Sequence, residues 1–428
     1  MKRLFAAMCL FFALAPAPLA ARSEPSSALR QRAVELVPLL NAKDEGAPFF
    51  DTAFLAHVPL AQVRAIARSL VEQNGPAQRI ESIEAETAND AIISIGYARA
   101  TVSIRLVVDP KEPNLVTGLI VTGSVARDDT IEKLVADVAA LPGAASLGMV
   151  ELGAGNPRWI AAYRRDAQMA IGSGFKLYVL AELARQAAAG TRRWSDVVPL
   201  GPPSLASGIT QKWPLAAPMT LHSLATLMIS VSDNTATDTL IDVLGRAQIE
   251  EMMRDTGHAG QDRAMPLLKT VEAFSLKMPA NDDLRLQWEQ GDLAARRRLL
   301  AEAPDRLRID RVDFAKLGSA PTHIGTVEWF ASPTDLIAIL DRLRTQPAPE
   351  ARAILAVNSG VDALTAARFD YIGYKGGSEN GVIALNYLVR DRRGRWFAVA
   401  GAWNDPTQDV SAPRFNALML RALALAGR

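Results

Sequence analysis

The sequence predicts a two-domain α+β chain, on three observations. Residues 26–74 carry helical apolar spacing and are followed by short strand-like runs, the order of a small α+β unit. A long and mostly helical middle is then bracketed by strand-like segments near both of its ends, which predicts one sheet assembled from the two termini of a second domain. The length of 428 residues, with 49% hydrophobic and 22% charged residues, is enough for two globular cores.

Taken in order, residues 28–40 and 60–71 predict helices, the second with Val63, Ile66 and Leu70 on one stripe. Strands are predicted over 91–95, 101–108 and 114–125. The Asp109-Pro110-Lys111-Glu112-Pro113 turn joins the last two as a hairpin. These make a small α+β domain over 26–125. Residues 126–145 read as a linker helix ending at Leu141-Pro142-Gly143, and 146–428 as the larger domain. Its elements begin with strands over 147–152 and 159–163, then a helix starting at Ser173. Helices follow over 218–231 and 235–244, and a charged helical stretch over 279–310. A further helix starts at Ser332-Pro333-Thr334-Asp335, a cap followed by proline in the first turn. The closing elements are strands over 371–374, 382–390 and 396–403, the last two joined at Asp391-Arg392-Arg393-Gly394, and an amphipathic helix over 412–425.

Composition excludes several functions. A net charge of +1, from 47 basic and 46 acidic residues, gives no electrostatic pull toward nucleic acid. The single cysteine, Cys9, lies in an N-terminal segment that reads as a secretory signal over residues 1–21: Lys2 and Arg3, a short apolar run, then small residues. The expected mature chain is exported to the periplasm or exterior. It has no stable membrane insertion, no disulfide and no thiolate metal site. No H-x-x-x-H or C-x-x-C pattern calls for a metal or other cofactor.

Chemistry enters at Gly172-Ser173-Gly174-Phe175-Lys176. On a helix, Ser173 and Lys176 share a face, and a serine at a helix start sits among free backbone N–H groups. With twenty-two serines and ten lysines, an S-x-x-K match is expected ~0.5 times by accident, so that element alone is weak. Ser232-Asp233-Asn234 is expected only ~0.04 times and is far sharper. Two Lys-x-Gly-Ser stretches follow it. Lys375-Gly376-Gly377-Ser378 is preferred over Lys316-Leu317-Gly318-Ser319 because it lies between a strand-like run and a hairpin. The type of residue 176 also matters. Arginine cannot be deprotonated, whereas a buried lysine can be driven toward neutrality and act as a base.

Serine-x-x-lysine, Ser-Asp-Asn and Lys-x-Gly in this order form the set used by penicillin-interacting serine enzymes. Residues 146–428 resemble the class A serine β-lactamases. The whole chain resembles the two-domain serine hydrolases of the clavulanic-acid biosynthetic cluster, whose N-terminal domain is similar to steroid-isomerase (NTF2-like) folds. The resemblance implies Ser173 as the acyl-forming nucleophile and Lys176 as its base. It implies Ser232 as proton relay to the leaving group, Asn234 and Gly377 as substrate-binding, and Lys375 as the group that holds a carboxylate and tunes Ser232. The N–H groups of Ser173 and Ser378 would form the oxyanion hole.

One departure is visible. Nothing of the Glu-x-x-Leu-Asn form that supplies the deacylating base in class A enzymes follows Asn234. Glu272 stands at a compatible distance in another setting, as a possible deacylation base or a packing carboxylate. A serine hydrolase acting on β-lactams or small esters is therefore expected, with efficient β-lactam turnover in doubt. A D-alanyl-D-alanine carboxypeptidase or penicillin-binding enzyme is one alternative, and a non-catalytic ligand-binding module on the same fold is another. A Ser-His-Asp enzyme is disfavoured, because residue 171 is isoleucine where G-x-S-x-G needs glycine, and the chain has four histidines without partner patterns. The sequence leaves oligomeric state and physiological substrate open.

Overall fold

The computed structural model describes residues 24–41, 48–127, 129–204, 207–313, 320–361 and 363–427. The expected signal segment and the Lys316–Ser319 stretch lie outside these. The chain divides into two compact units, Met1–Arg127 and Asp128–Arg428.

The first unit begins with α1 (Ser27–Leu40), α2 (Thr52–His57) and α3 (Leu60–Asn74). Ser26 and Asp51 cap the first two by accepting the N–H groups of Leu29 and Phe54. An antiparallel sheet follows in sequential order: β1 (Ala77–Thr87), β2 (Asp90–Tyr97), β3 (Ala100–Val108) and β4 (Val116–Ala126). Leu29 and Leu36 of α1 pack with Ile93, Ile95, Ile104 and Leu106 in one core. The expected hairpin is the β3–β4 pair, with Val108 opposite Val116. Strand β1 was not expected. Its charged residues leave most of it exposed, so the sequence has no clean alternation there.

The second unit starts with α4 (Ile131–Ala139), β5 (Ala144–Leu152), β6 (Arg158–Tyr163) and β7 (Met169–Ala170). The helix expected as a linker over 126–145 is α4, and its Leu134 and Val138 are buried in this unit's own core. A 3-10 turn over Gly172–Phe175 leads into α5 (Lys176–Ala188). Then come β8 (Val197–Pro199), β9 (Pro218–Thr220), α6 (Leu221–Ser230), α7 (Asn234–Leu244), α8 (Arg246–Asp255), α9 (Gln261–Ala264) and α10 (Thr270–Leu276). The charged stretch forms α11 (Asp282–Gln290) and α12 (Leu293–Glu302), and β10 (Phe330–Ala331) pairs with β7. Next are α13 (Pro333–Thr345), capped by Ser332 as expected, α14 (Glu350–Leu355) and α15 (Ala363–Ala366). The chain closes with β11 (Phe369–Glu379), β12 (Val382–Asp391), β13 (Trp396–Asn404) and α16 (Ala412–Ala426).

The main sheet runs β11-β12-β13-β5-β6, antiparallel throughout, so strands from both ends of the unit do form one sheet. Its two faces are covered differently. Ala384, Leu388 and Ala398 face the large helical core that includes α5, α6, α7 and α13. Ile383, Leu385 and Tyr387 face the core made with α4 and α16. A sheet buried on both sides needs nearly continuous apolar strands, which is what β12 and β13 supply. Strand β11 lies at the edge, and it continues through Lys375-Gly376-Gly377-Ser378 where the sequence suggested that the strand stops at Tyr374.

Leu388 is fully buried on the helical face. Leu388→Ala should lower stability by about 2–5 kcal/mol, read as a lower urea midpoint with an unchanged slope.

Candidate active site

Three elements meet at one point: the 3-10 turn before α5, the α6–α7 connection and the edge strand β11. Ser173 lies in the turn and Lys176 opens α5 directly after it, Ser232 lies in the α6–α7 connection, and Lys375 on β11. Lys176 is fully buried, with Nζ 3.1 Å from Ser232 Oγ, 2.6 Å from the Ser232 carbonyl oxygen and 2.7 Å from Asn234 Oδ1. Lys375 approaches the same hydroxyl from the sheet, with Nζ 3.0 Å from Ser232 Oγ and 2.5 Å from the Gly376 carbonyl oxygen. Ser232 is therefore a hydroxyl held between two amino groups.

The local backbone explains how Ser232 reaches both. Its φ is +58°, in the left-handed region that a residue with a Cβ rarely adopts. This conformation turns the Oγ and the carbonyl oxygen of one residue toward the same lysine. Asp233 holds the strained turn in place. Its carboxylate accepts the N–H groups of Ala236, Ile209 and Thr210 and the Thr210 hydroxyl, all at 2.6–2.9 Å. The middle residue of Ser-Asp-Asn is thus a structural tie, and its side chain is fully buried.

Strand β11 and the 3-10 turn approach closely enough that two glycines are required. A Cβ on Gly377 would lie 2.5 Å from the backbone nitrogen of Ser173 and 2.7 Å from that of Gly174. Reciprocally, a Cβ on Gly172, at φ +47°, would lie 3.0 Å from the backbone nitrogen of Ser378. Glycine at both positions thus lets the backbone nitrogens of Ser173 and Ser378 lie at the contact between the turn and β11. Asn386, opposite Lys375 on β12, donates to the Lys375 carbonyl at 2.9 Å and fixes the strand behind it.

Electrostatics follow from burial. Lys176 is pushed well below the usual lysine range, first by desolvation and then by the charge of Lys375, with Asp238 and Asp233 opposing. Desolvation lowers Lys375 to about 7. Neither lysine is within direct salt-bridge reach of a carboxylate in the way Lys277 is; that side chain pairs with Glu328 at 3.0 Å and with Glu379.

A cavity of about 730 Å³ opens here, lined by Ser173, Ser232, Lys375, Gly377 and Ser378 among others. Lys176 and Asn234 lie buried behind that wall. Glu272 lies elsewhere. Its Oε1 accepts from Arg246 at 2.6 Å and its Oε2 from the N–H of Lys269 at 2.7 Å, capping α10, and it lines a separate cavity with Asp238 and Lys269. No carboxylate is among the described residues that line the Ser173 cavity. Glu379, next along β11 after Ser378, is turned to Lys277, and burial raises its carboxyl well above the usual range. Tyr374 also lines the cavity and was not singled out by sequence; only the register of β11 places it there. No group of three or more His, Cys, Asp or Glu among the described residues is placed to hold a metal ion.

A family model described as the beta-lactamase enzyme family matches residues 126–346, just over half of the chain, and the chain belongs to that family. The matched range includes Ser173, Lys176, Ser232 and Asn234 and ends before Lys375. Among solved structures, the chain is similar to a mutant of PBP-A in an acyl-enzyme complex with penicillin G, at 16% identity over 69% of this chain and 95% of that one, with a TM-score of 0.47. It is similar to a β-lactamase from Sphaerobacter thermophilus at 19% identity over 69% and 94%, TM-score 0.47. A β-lactamase from Desulfarculus baarsii matches at 21% identity over 68% and 94%, TM-score 0.48. No curated protein matches the chain.

Asp233→Ala leaves four donors, three of them buried, without this acceptor and uncaps α7. It should cost about 3 kcal/mol or more, measured by chemical denaturation, with Asp233→Asn recovering part of the loss.

Proposed function

We propose that this member of the beta-lactamase enzyme family is a serine acyl-hydrolase that forms an acyl-enzyme at Ser173 on a β-lactam or small ester. The observation that carries the reading is the Ser232 hydroxyl held at 3.1 and 3.0 Å from the buried Nζ atoms of Lys176 and Lys375, on the wall of the Ser173 cavity. Ser173 Oγ attacks the carbonyl carbon and its proton passes to Lys176, which burial keeps available as a neutral base. The oxyanion is met by the N–H groups of Ser173 and Ser378. As the carbonyl re-forms, the bond to the leaving nitrogen or oxygen breaks, and that atom takes the proton of Ser232, which the lysines restore. Asn234 orients Lys176, and Gly377 keeps space for the carbonyl.

Release of the acyl group is slow in this reading. A water attacking the acyl-enzyme finds no lining carboxylate as a base, and Glu272 is committed to Arg246 and its helix cap. That favours a second reading, a penicillin-binding or D-alanyl-D-alanine carboxypeptidase-type enzyme, in which a long-lived acyl-enzyme is the normal outcome with β-lactams. The partner in both is a small molecule. The helices-then-sheet order of the first unit supports a steroid-isomerase-like domain and, with it, the two-domain hydrolase resemblance. Export rests on the N-terminal sequence; no helix among the described residues is long and apolar enough to cross a membrane.

Wild-type protein incubated with penicillin G or a fluorophosphonate should gain one adduct mass on the peptide holding Ser173. The penicillin adduct should persist for minutes or longer, and Ser173→Ala should abolish both. Labelling that survives Ser173→Ala sinks the assignment. The second outcome concerns pH. Lys375, at about 7, is charged below that pH and loses its charge above it. Acylation by a carboxylate-bearing β-lactam should therefore weaken as pH rises from about 6 to about 8, and Lys375→Arg should flatten the profile.

A further inference from the structure

The Ser173 cavity does not stop at the helical face of the sheet. In the β11–β12 register, Lys375 pairs with Asn386 and Gly377 with Ala384, while Gly376 pairs with Leu385, Ser378 with Ile383 and Tyr374 with Tyr387. Paired residues of an antiparallel ladder point to the same side, and neighbours along a strand to opposite sides. The first set faces the turn that carries Ser173; the second faces α16. Yet both sets line one continuous cavity, together with Ala412, Pro413 and Asn416 at the start of α16. The cavity therefore passes over the edge of the sheet, and it can do so because β11 is the edge strand. The space beside Gly376 is taken by Tyr374, whose hydroxyl lies 2.1 Å from where a Cβ on Gly376 would sit, and Leu385 Cδ2 lies 3.3 Å from the same point.

The far arm is apolar and uncharged. Its floor is Ile383 and Leu385, its wall Ala412 and Pro413, and its polar groups are the Ser378 and Tyr374 hydroxyls and Asn416. No arginine, and no carboxylate, is among the described residues that line any part of the cavity. The arm opens beside Gly376, next in sequence to Lys375, whose amino group meets the Ser232 hydroxyl. Ser232, which in this reading gives the leaving group its proton, lines the same cavity as the arm.

We propose that this arm is a leaving-group subsite, and that the preferred substrates are esters whose alcohol carries an uncharged apolar chain of several carbons. The inference rests on the acyl-enzyme reading and adds the class of alcohol. A linear chain passes over the edge strand beside the Tyr374 side chain, packs on Leu385 and Ile383 and ends against Ala412 and Pro413. A carboxylate on that chain meets no cation in the arm and loses hydration without compensation.

Ethyl, butyl and hexyl acetate test this, because they share one acyl group and nearly one leaving-group basicity, so differences in kcat/KM report binding of the chain. A buried methylene is worth about fourfold, and hexyl acetate should exceed ethyl acetate at least about tenfold. The anion 4-acetoxybutyrate should lose that gain. Ala412→Trp, an exposed position that places a ring in the arm, should collapse the hexyl-to-ethyl ratio toward one. Fluorophosphonate labelling of Ser173 in the same preparations shows that each protein is folded and that the nucleophile is reactive. A flat chain-length series with Ser173 labelled overturns the subsite and leaves the acyl-enzyme reading standing. A rise that Ala412→Trp leaves undiminished places the chain elsewhere and also overturns it. Absence of both labelling and ester hydrolysis overturns the acyl-enzyme reading and the subsite with it.

Discussion

Two buried amino groups facing one serine hydroxyl set the requirements that the surrounding unit meets. An ammonium group taken out of water costs several kcal/mol, and two within reach of one oxygen repel each other as well. The fold meets this without a direct carboxylate partner on either lysine. Asn234 Oδ1 and the carbonyl oxygens of Ser232 and Gly376 accept from the amino groups, and the pKa of each lysine falls. Burial thus favours the neutral amine, the form that can accept a proton, at the place where a serine proton has to go.

The rest of the site follows from holding that contact rigid. Ser232 sits in a left-handed conformation because the Asp233 carboxylate, buried and bonded by four donors, ties the α6–α7 connection to the 208–210 loop. Lys375 is aimed by an edge strand paired to β12, which is buried along nearly all its length and is backed in turn by β13. The 3-10 turn of Ser173 approaches that strand as closely as glycine permits at positions 172 and 377. Side chains on either residue would separate the nitrogens of Ser173 and Ser378.

Much of this was legible in the sequence, and the exceptions have physical causes. The β12–β13 hairpin and the capped helix after Ser332 are local signals, and they form where expected. Ser-Asp-Asn was informative because its chance frequency is low, and the structure brings Ser232 to Lys176 and Lys375 across 56 and 143 residues of chain. Strand β1 was missed because its charged residues hide the alternation. The extent of β11 was missed because two glycines read as a turn, whereas here they are the price of close approach to the Ser173 turn. The setting of Glu272 was beyond the sequence: the capping box of α10 is local, but the Arg246 that claims the other oxygen comes from another helix. The passage over the edge strand likewise depends on register and on which strand is the edge, both properties of the assembled sheet.

Burial lowers the pKa of both lysines, and the site depends on it. An NMR titration of the full chain labelled with ¹³C at lysine Cε tests it directly, with Lys176→Met and Lys375→Met assigning the two signals among ten lysines. The account predicts that the Lys375 signal moves to the neutral-amine position with a midpoint near 7. It predicts that Lys176 titrates well below the ordinary lysine range. Two signals that keep the ammonium position up to a pH of about 10, like exposed lysines, would contradict it.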